Sequence, residues 1–211
     1  MRGIISGLPI VSGFFKDFTL PATISKSAFP SMMIHVATFS IRTFGDPVLR
    51  QVTSDIENID ESVLRLVEDM IETMNEAPGV GLAATQVGVQ KRLFVYDIGD
   101  GPSAVLNGRI TESSGEWTYE EGCLSVPGMY WPITRPNHVF LEGIDLSGNE
   151  IKLEASELLG RVFQHEIDHL DGVLLIERLD PDQHKQAMKI LRSQALTPDH
   201  QMARRRLSDR G

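Results

Sequence analysis

The sequence predicts a single α+β domain, on three observations. Helix-type periodicity lies toward the flanks, at about 60–75, 156–172 and 181–196. Strand-type runs fill the middle, at 92–98, 104–106, 139–144 and 151–154. Segregated rather than alternating elements exclude a doubly wound α/β sheet. The chain of 211 residues, with 41% hydrophobic and 23% charged residues, suits one packed core rather than two.

Each element has a local cause. Gly45-Asp46-Pro47 marks a turn. Val63, Val67, Met70, Ile71 and Met74 recur at helical spacing behind Asp60 or Ser62 as a cap, and Pro78 and Gly79 end that helix. Ser147-Gly148-Asn149 closes a hairpin between two of the strands. The second helix begins near Ser156 and stops at Gly172, a residue suited to a C-terminal cap. Asp180-Pro181 opens the third.

Residues 1–33 read differently. They hold five serines and one acid, and their uncharged stretch from Gly3 to Phe15 is broken by Gly7, Pro9 and Gly13, which makes a poor helix and a poor secretory core. An organelle-type transit segment and an ordered extension are both consistent with this. The favoured reading is an addition upstream of a natural start at Met32 or Met33, with a cytoplasmic protein behind it. The domain plan is therefore an extension over 1–33, a catalytic domain over 34–181, and a C-terminal helix with a basic tail over 182–211.

Charge narrows the partners. The net charge of −9 combines −15 over residues 34–181 with +4 over 182–211, where Arg204, Arg205 and Arg206 sit together. So acidic a body is not expected to bind nucleic acid through its main surface, and no DNA partner is expected, although the basic tail could make phosphate contacts. No apolar run approaches the ~20 residues that cross a bilayer. With one cysteine, Cys123, the fold contains no internal disulfide and fits a reducing compartment.

The most informative stretch is His165-Glu166-Ile167-Asp168-His169. Histidines four apart share a helix face and converge on one metal ion, and the pattern arises by chance in roughly one chain of this composition in eighty. Leu158 and Val162 continue the same stripe, which carries the imidazoles inward. A catalytic metal takes three protein ligands and keeps one open position. Cys123, in Glu120-Glu121-Gly122-Cys123-Leu124-Ser125, is the soft donor that completes the set, and Glu166 is placed to move a proton. A third segment, residues 79–88 (Gly-Val-Gly-Leu-Ala-Ala-Thr-Gln-Val-Gly), offers an open backbone edge and Gln86 as an amide donor. It lacks the ending of a phosphate loop and precedes no clear helix.

Together, residues 79–86, 121–125 and 164–170 resemble the three signature motifs of the peptide deformylases, in the family's order and close to its spacing. The likeness runs from about Phe44 to Leu179. It implies antiparallel or mixed sheets packed around a central metal-binding helix, with a C-terminal helix. It implies removal of the formyl group from the N-terminal formyl-methionine of new polypeptides, releasing formate. It matches Cys123, His165 and His169 to the metal ligands, the ion being Fe2+ natively with Zn2+, Ni2+ or Co2+ able to substitute. It matches Glu166 to the general acid and base, and Gln86 and the Leu124 N–H to the donors on the formyl oxygen. Val80, Gly81 and Gly122 match backbone that holds the peptide as an added strand. Tyr119, Leu158, Arg161 and Val162 fall where the methionine side chain is lodged, and Arg161 is expected to lay its stem on the pocket wall with its charge in water.

The chain departs from the family at Asn107-Gly108, where Asn-Pro is usual, and this is expected to loosen a strand end. The basic tail is a candidate ribosome contact, although Thr197-Pro198 interrupts its helix. Two rival readings remain at this point. One is a His-Glu-x-x-His peptidase with Asp171, Glu177 or Asp180 as third ligand. The other is a metal-stabilised module that binds N-terminal methionine without turnover.

Overall fold

The computed structural model describes residues 37–195. The expectations for residues 1–33, for the start at Met32 or Met33, and for the run Arg204, Arg205 and Arg206 lie outside the described residues.

Helix α1 (Glu61–Glu76) starts where the Asp60 carboxylate accepts from the backbone N–H of Ser62 and Val63 at 2.9 and 3.0 Å, a cap worth about 1 kcal/mol. It buries Val63, Val67, Met70 and Met74. Seven strands follow: β1 (Gly81–Ala83), β2 (Leu93–Tyr96), β3 (Ser103–Ser114), β4 (Trp117–Gly122), β5 (Tyr130–Arg135), β6 (His138–Ile144) and β7 (Glu150–Ser156). Five pair antiparallel in the order β1-β2-β3-β6-β7, and β4 with β5 forms a separate hairpin. The β6–β7 turn is tied by Asp145, whose carboxylate accepts from the N–H of Ser147 and Asn149 at 2.8 and 2.9 Å. Helix α2 (Glu157–Leu170) crosses the molecule between these layers, and α3 (Pro181–Ala195) closes it by burying Ala187 and Leu191. The class is α+β, with antiparallel sheets.

Helix α2 is buried on every side: from Gly160 to Leu170 only His165 is partly open to solvent. Phe163, Ile167 and Leu170 pack onto the sheet beside Phe94, Tyr96 and Leu141. The rings of Phe94, Tyr96 and Phe163 stand 5.1 to 6.0 Å apart in tilted and edge-on contacts. The other faces of the helix carry Arg161, Gln164, Glu166, Asp168 and His169, all buried. Polar groups removed from water need partners of their own, so α2 is tied to its surroundings by specific bonds as well as by packing.

The structure revises several expectations. Strand β3 runs to Ser114 rather than stopping at Leu106, because its second half is solvent-facing and lacks an apolar signature. Asn107-Gly108 does not loosen it. Asn107 adopts a positive φ of 55°, accepts from the Ile56 N–H at 2.8 Å and donates to the Ile56 carbonyl at 2.9 Å. It sits in a register shift between Leu106 and Arg109, a bulge pinned to a neighbouring loop. Within the 79–88 segment, residues 84–87 form a 3-10 turn that ends at Gly88 with φ 86°, and the element that follows is strand β2 rather than a helix. The β4–β5 hairpin was not anticipated. Its strands are short and β4 carries Glu120 and Glu121 side by side, which hides any alternation, and Pro132 is tolerated because β5 has only one paired edge.

Candidate metal centre and active site

Two strand edges and one helix build the site. Strand β1 is the outermost strand of the five-stranded sheet, and β4 also has a free edge. Between them lies a cavity of about 430 Å³ walled by α2. Its lining includes every residue that the family resemblance matched to the site except His169, which is 1% exposed.

Helix α2 sets the His165 and His169 rings 5.0 Å apart, and the chain leaving β4 brings in Cys123. Ligand atoms of Cys123, His165 and His169 all lie within 4.8 Å of one another, with the Cys123 Sγ 3.2 Å from His169 Nε2. Burial opposes a charged Cys123. The charges and hydrogen bonds of His169 and His165 outweigh it and bring the thiol well below its ordinary range. A thiolate with two imidazoles is a donor set suited to a divalent transition metal, and three protein ligands would leave such an ion one position for water or substrate.

Glu166 is 3% exposed, and its Oε2 has no hydrogen-bond partner in the protein. Burial is the main cause that pushes its carboxyl up to about 7. Gly81 makes room for it: a Cβ there would run into the Glu166 carboxylate and stand 3.0 Å from Val162 Cγ1. At Gly122, a Cβ would meet the Tyr130 ring. Gln86 is held by two bonds. Its Oε1 accepts from the Ala83 N–H at 2.8 Å, and its Nε2 donates to Ser125 Oγ at 3.2 Å, 3.9 Å from the Cys123 sulfur. The donor on Oε1 fixes which way the amide faces, and so aims the N–H side at the cavity.

Arg161 does not behave as expected. It is 3% exposed, so its charge does not reach water. Its guanidinium donates to Glu121 Oε1 at 2.6 Å, to the Ile133 carbonyl at 2.9 Å and to the Trp117 carbonyl, and lies 5.2 Å over the Trp117 ring. It staples α2 to the β4–β5 hairpin. The residue that draws it inward is Glu121, to which the sequence alone assigns no role. Alternation along β4 turns Glu121 inward and Glu120 outward, a distinction that needs the strand and its register.

The ligands a peptidase would use are engaged elsewhere. Asp171 pairs with Arg92 at 2.7 Å, Glu177 with Arg50 at 2.5 Å, and Asp180 caps α3 through the N–H of Asp182 and Gln183 at 2.9 Å.

The family model for polypeptide deformylase matches residues 38–185. The chain belongs to that family. The peptide deformylase of Acidothermus cellulolyticus is 46% identical over 157 residues, which is 74% of this chain and 87% of the relative. The crystal structure of a peptide deformylase from Legionella pneumophila is similar with a TM-score of 0.70 at 39% identity, covering 77% of this chain and 100% of that one. That of the Ehrlichia chaffeensis enzyme in complex with actinonin gives 0.72 at 36% identity, covering 76% and 99%. Among the described residues no helix is long and apolar enough to cross a membrane.

Proposed function

We propose that this chain carries out its family's reaction, hydrolysis of the N-terminal formyl group of formyl-methionine on newly made polypeptides with release of formate, in the cavity between α2, β1 and β4. One observation carries the assignment. A low-lying thiol, two imidazoles and an unpartnered buried carboxylate converge at one cavity flanked by two free strand edges.

Cys123, His165 and His169 would hold one divalent ion, which when bound supplies a water molecule acidified to near neutrality. Fe2+ is the native ion in this reading, with Zn2+, Ni2+ or Co2+ able to replace it. Glu166 takes the proton lost by the attacking water and returns it to the departing amine, a role suited to a carboxyl held at about 7. Gln86 Nε2 and the Leu124 N–H donate to the formyl oxygen as it gains charge. Backbone at Val80, Gly81 and Gly122 pairs with the peptide as an added strand. Tyr119, Leu158 and Val162 wall the methionine pocket, and Arg161 braces it from behind. Residues 34–181 carry this chemistry, with an extension over 1–33. The basic tail within 182–211 docks on the ribosome and the protein acts in the cytoplasm.

Formate release from formyl-Met-Ala-Ser tests the reading, using protein purified without oxygen and loaded with Fe2+, beside Glu166→Ala. Turnover that falls by about 10²–10⁴ in the variant, with metal content unchanged, is expected. A wild-type protein that holds its metal ion and releases no formate refutes the assignment. A Cys123→Ser variant that keeps its metal and cuts internal peptide bonds would support the peptidase instead.

A further inference from the structure

We infer that the outward face of the β4–β5 hairpin is a subsite for a cationic side chain, which makes formyl peptides with lysine or arginine directly after the methionine the preferred substrates. The inference rests on the proposed reaction and adds to it the class of residue that follows the formyl-methionine. Register divides the hairpin into two faces. Glu121, Ile133 and Arg135 are buried on one of them. The other carries the pairs Thr118 with Thr134, Glu120 with Pro132 and Gly122 with Tyr130, and the two threonine hydroxyls meet across it at 2.7 Å. Tyr130 is 64% exposed, and its ring lies so close on Gly122 that a Cβ there would collide with it. Glu120 stands one diagonal step from Tyr130, about 7–8 Å between such positions. Its cross-strand neighbour is a proline, and no ion pair among the described residues includes it. Glu120 and Tyr130 both line the cavity. The other charged residues of that lining are Glu121, Arg161, His165 and Glu166, all buried or half-buried, so Glu120 is the exposed charge at the mouth.

Strand pairing brings the second residue of a substrate to this face. A peptide added along the free edge of β4 alternates its side chains between the two faces of the sheet it extends. The methionine turns inward, to Tyr119, Leu158 and Val162, and the side chain after it turns outward, to Glu120 and Tyr130. An unpaired carboxylate beside the open face of a tyrosine ring suits an ammonium or guanidinium group, which the carboxylate pairs and the ring attracts. An acidic side chain in the same place meets like charge. The wider field favours the same choice, because residues 34–181 hold ten bases against twenty-five acids.

The test gives full-length, Zn2+-loaded protein formyl-Met-Lys-Ser, formyl-Met-Ala-Ser and formyl-Met-Glu-Ser, with kcat/KM read from formate release. Each of the two exposed contacts is worth about two- to fivefold, so lysine should exceed alanine by about 5–20-fold, with glutamate below alanine. The gap should narrow as salt is raised from about 0.05 to 0.5 M. Glu120→Gln should cut the lysine preference about two- to fivefold and remove its salt dependence. Tyr130→Leu, which still covers Gly122, should cut it by a similar factor and leave the salt dependence in place. Formyl-Met-Ala-Lys should behave like formyl-Met-Ala-Ser, because its lysine faces the other way. Titration calorimetry of the unformylated products should show Met-Lys-Ser binding more tightly than Met-Glu-Ser, a reading that needs no turnover. Equal kcat/KM for lysine and glutamate overturns the subsite, as does a preference unchanged in Glu120→Gln or one that follows the third residue. Absence of formate from every peptide overturns the deformylase reading instead, and equal binding of the two products overturns the subsite whether or not turnover is seen.

Discussion

Replacing Arg161 with methionine separates a brace from a surface charge. The guanidinium is 3% exposed and supplies donors to one carboxylate and two carbonyls. Methionine fills the volume of the stem and donates nothing. Removing one partner of a buried ion pair costs about 3–5 kcal/mol, and each stripped carbonyl about 1–3 kcal/mol if no water replaces the donor. Glu121 keeps Arg135 and His165, and the adjacent cavity admits water to part of the vacated space, so the lower end applies, about 3 kcal/mol. For a chain of this length each kcal/mol moves Tm by about 2–4 °C, which predicts a fall of about 6–12 °C. Thermal unfolding of metal-loaded protein, followed by far-UV circular dichroism at fixed metal concentration, reads it. A solvated arginine contributes about 0–1 kcal/mol, so a fall below about 2 °C refutes the brace and returns the charge to water.

Three further outcomes are expected. Gly81→Ala drives a methyl group into the end of the Glu166 side chain, which can swing aside; Tm should stay within about 2 °C of wild type while formate release falls about 100-fold, and undiminished turnover would mean that Glu166 need not sit where it does. Phe163→Ala empties the contact between α2 and the rings of Phe94 and Tyr96 and should cost about 3–5 kcal/mol by urea titration, with a loss under about 1 kcal/mol showing that the helix is held by its charges instead. Stripping the metal with a chelator should lower Tm, because an ion that binds only the folded chain stabilises it by mass action, and an unchanged Tm would place the ion outside the folded site.

Much of the molecule is legible without coordinates. Helix α1, the β6–β7 hairpin and α2 follow from periodicity and caps, because each is written in residues adjacent along the chain. The His165, Glu166 and His169 trio is visible for the same reason, since helical spacing puts it on neighbouring positions. The short strand β1 and the β4–β5 hairpin are not visible. Three residues carry no period, and in β4 the buried Glu121 and the exposed Glu120 are the same letter.

What the sequence by itself determined is the family, the helix that carries two histidines, and the residue types able to serve a metal. Only the tertiary structure decided that Cys123 lies beside those histidines, that Arg161 turns inward instead of out, and that Glu121 is buried against it while Glu120 faces solvent. Those facts depend on which strand face is buried and on how a separate hairpin docks against α2. Side chains far apart in the chain meet across that interface, and their charges are removed from water together, so each one's partner is set by packing and cannot be read from its neighbours in sequence.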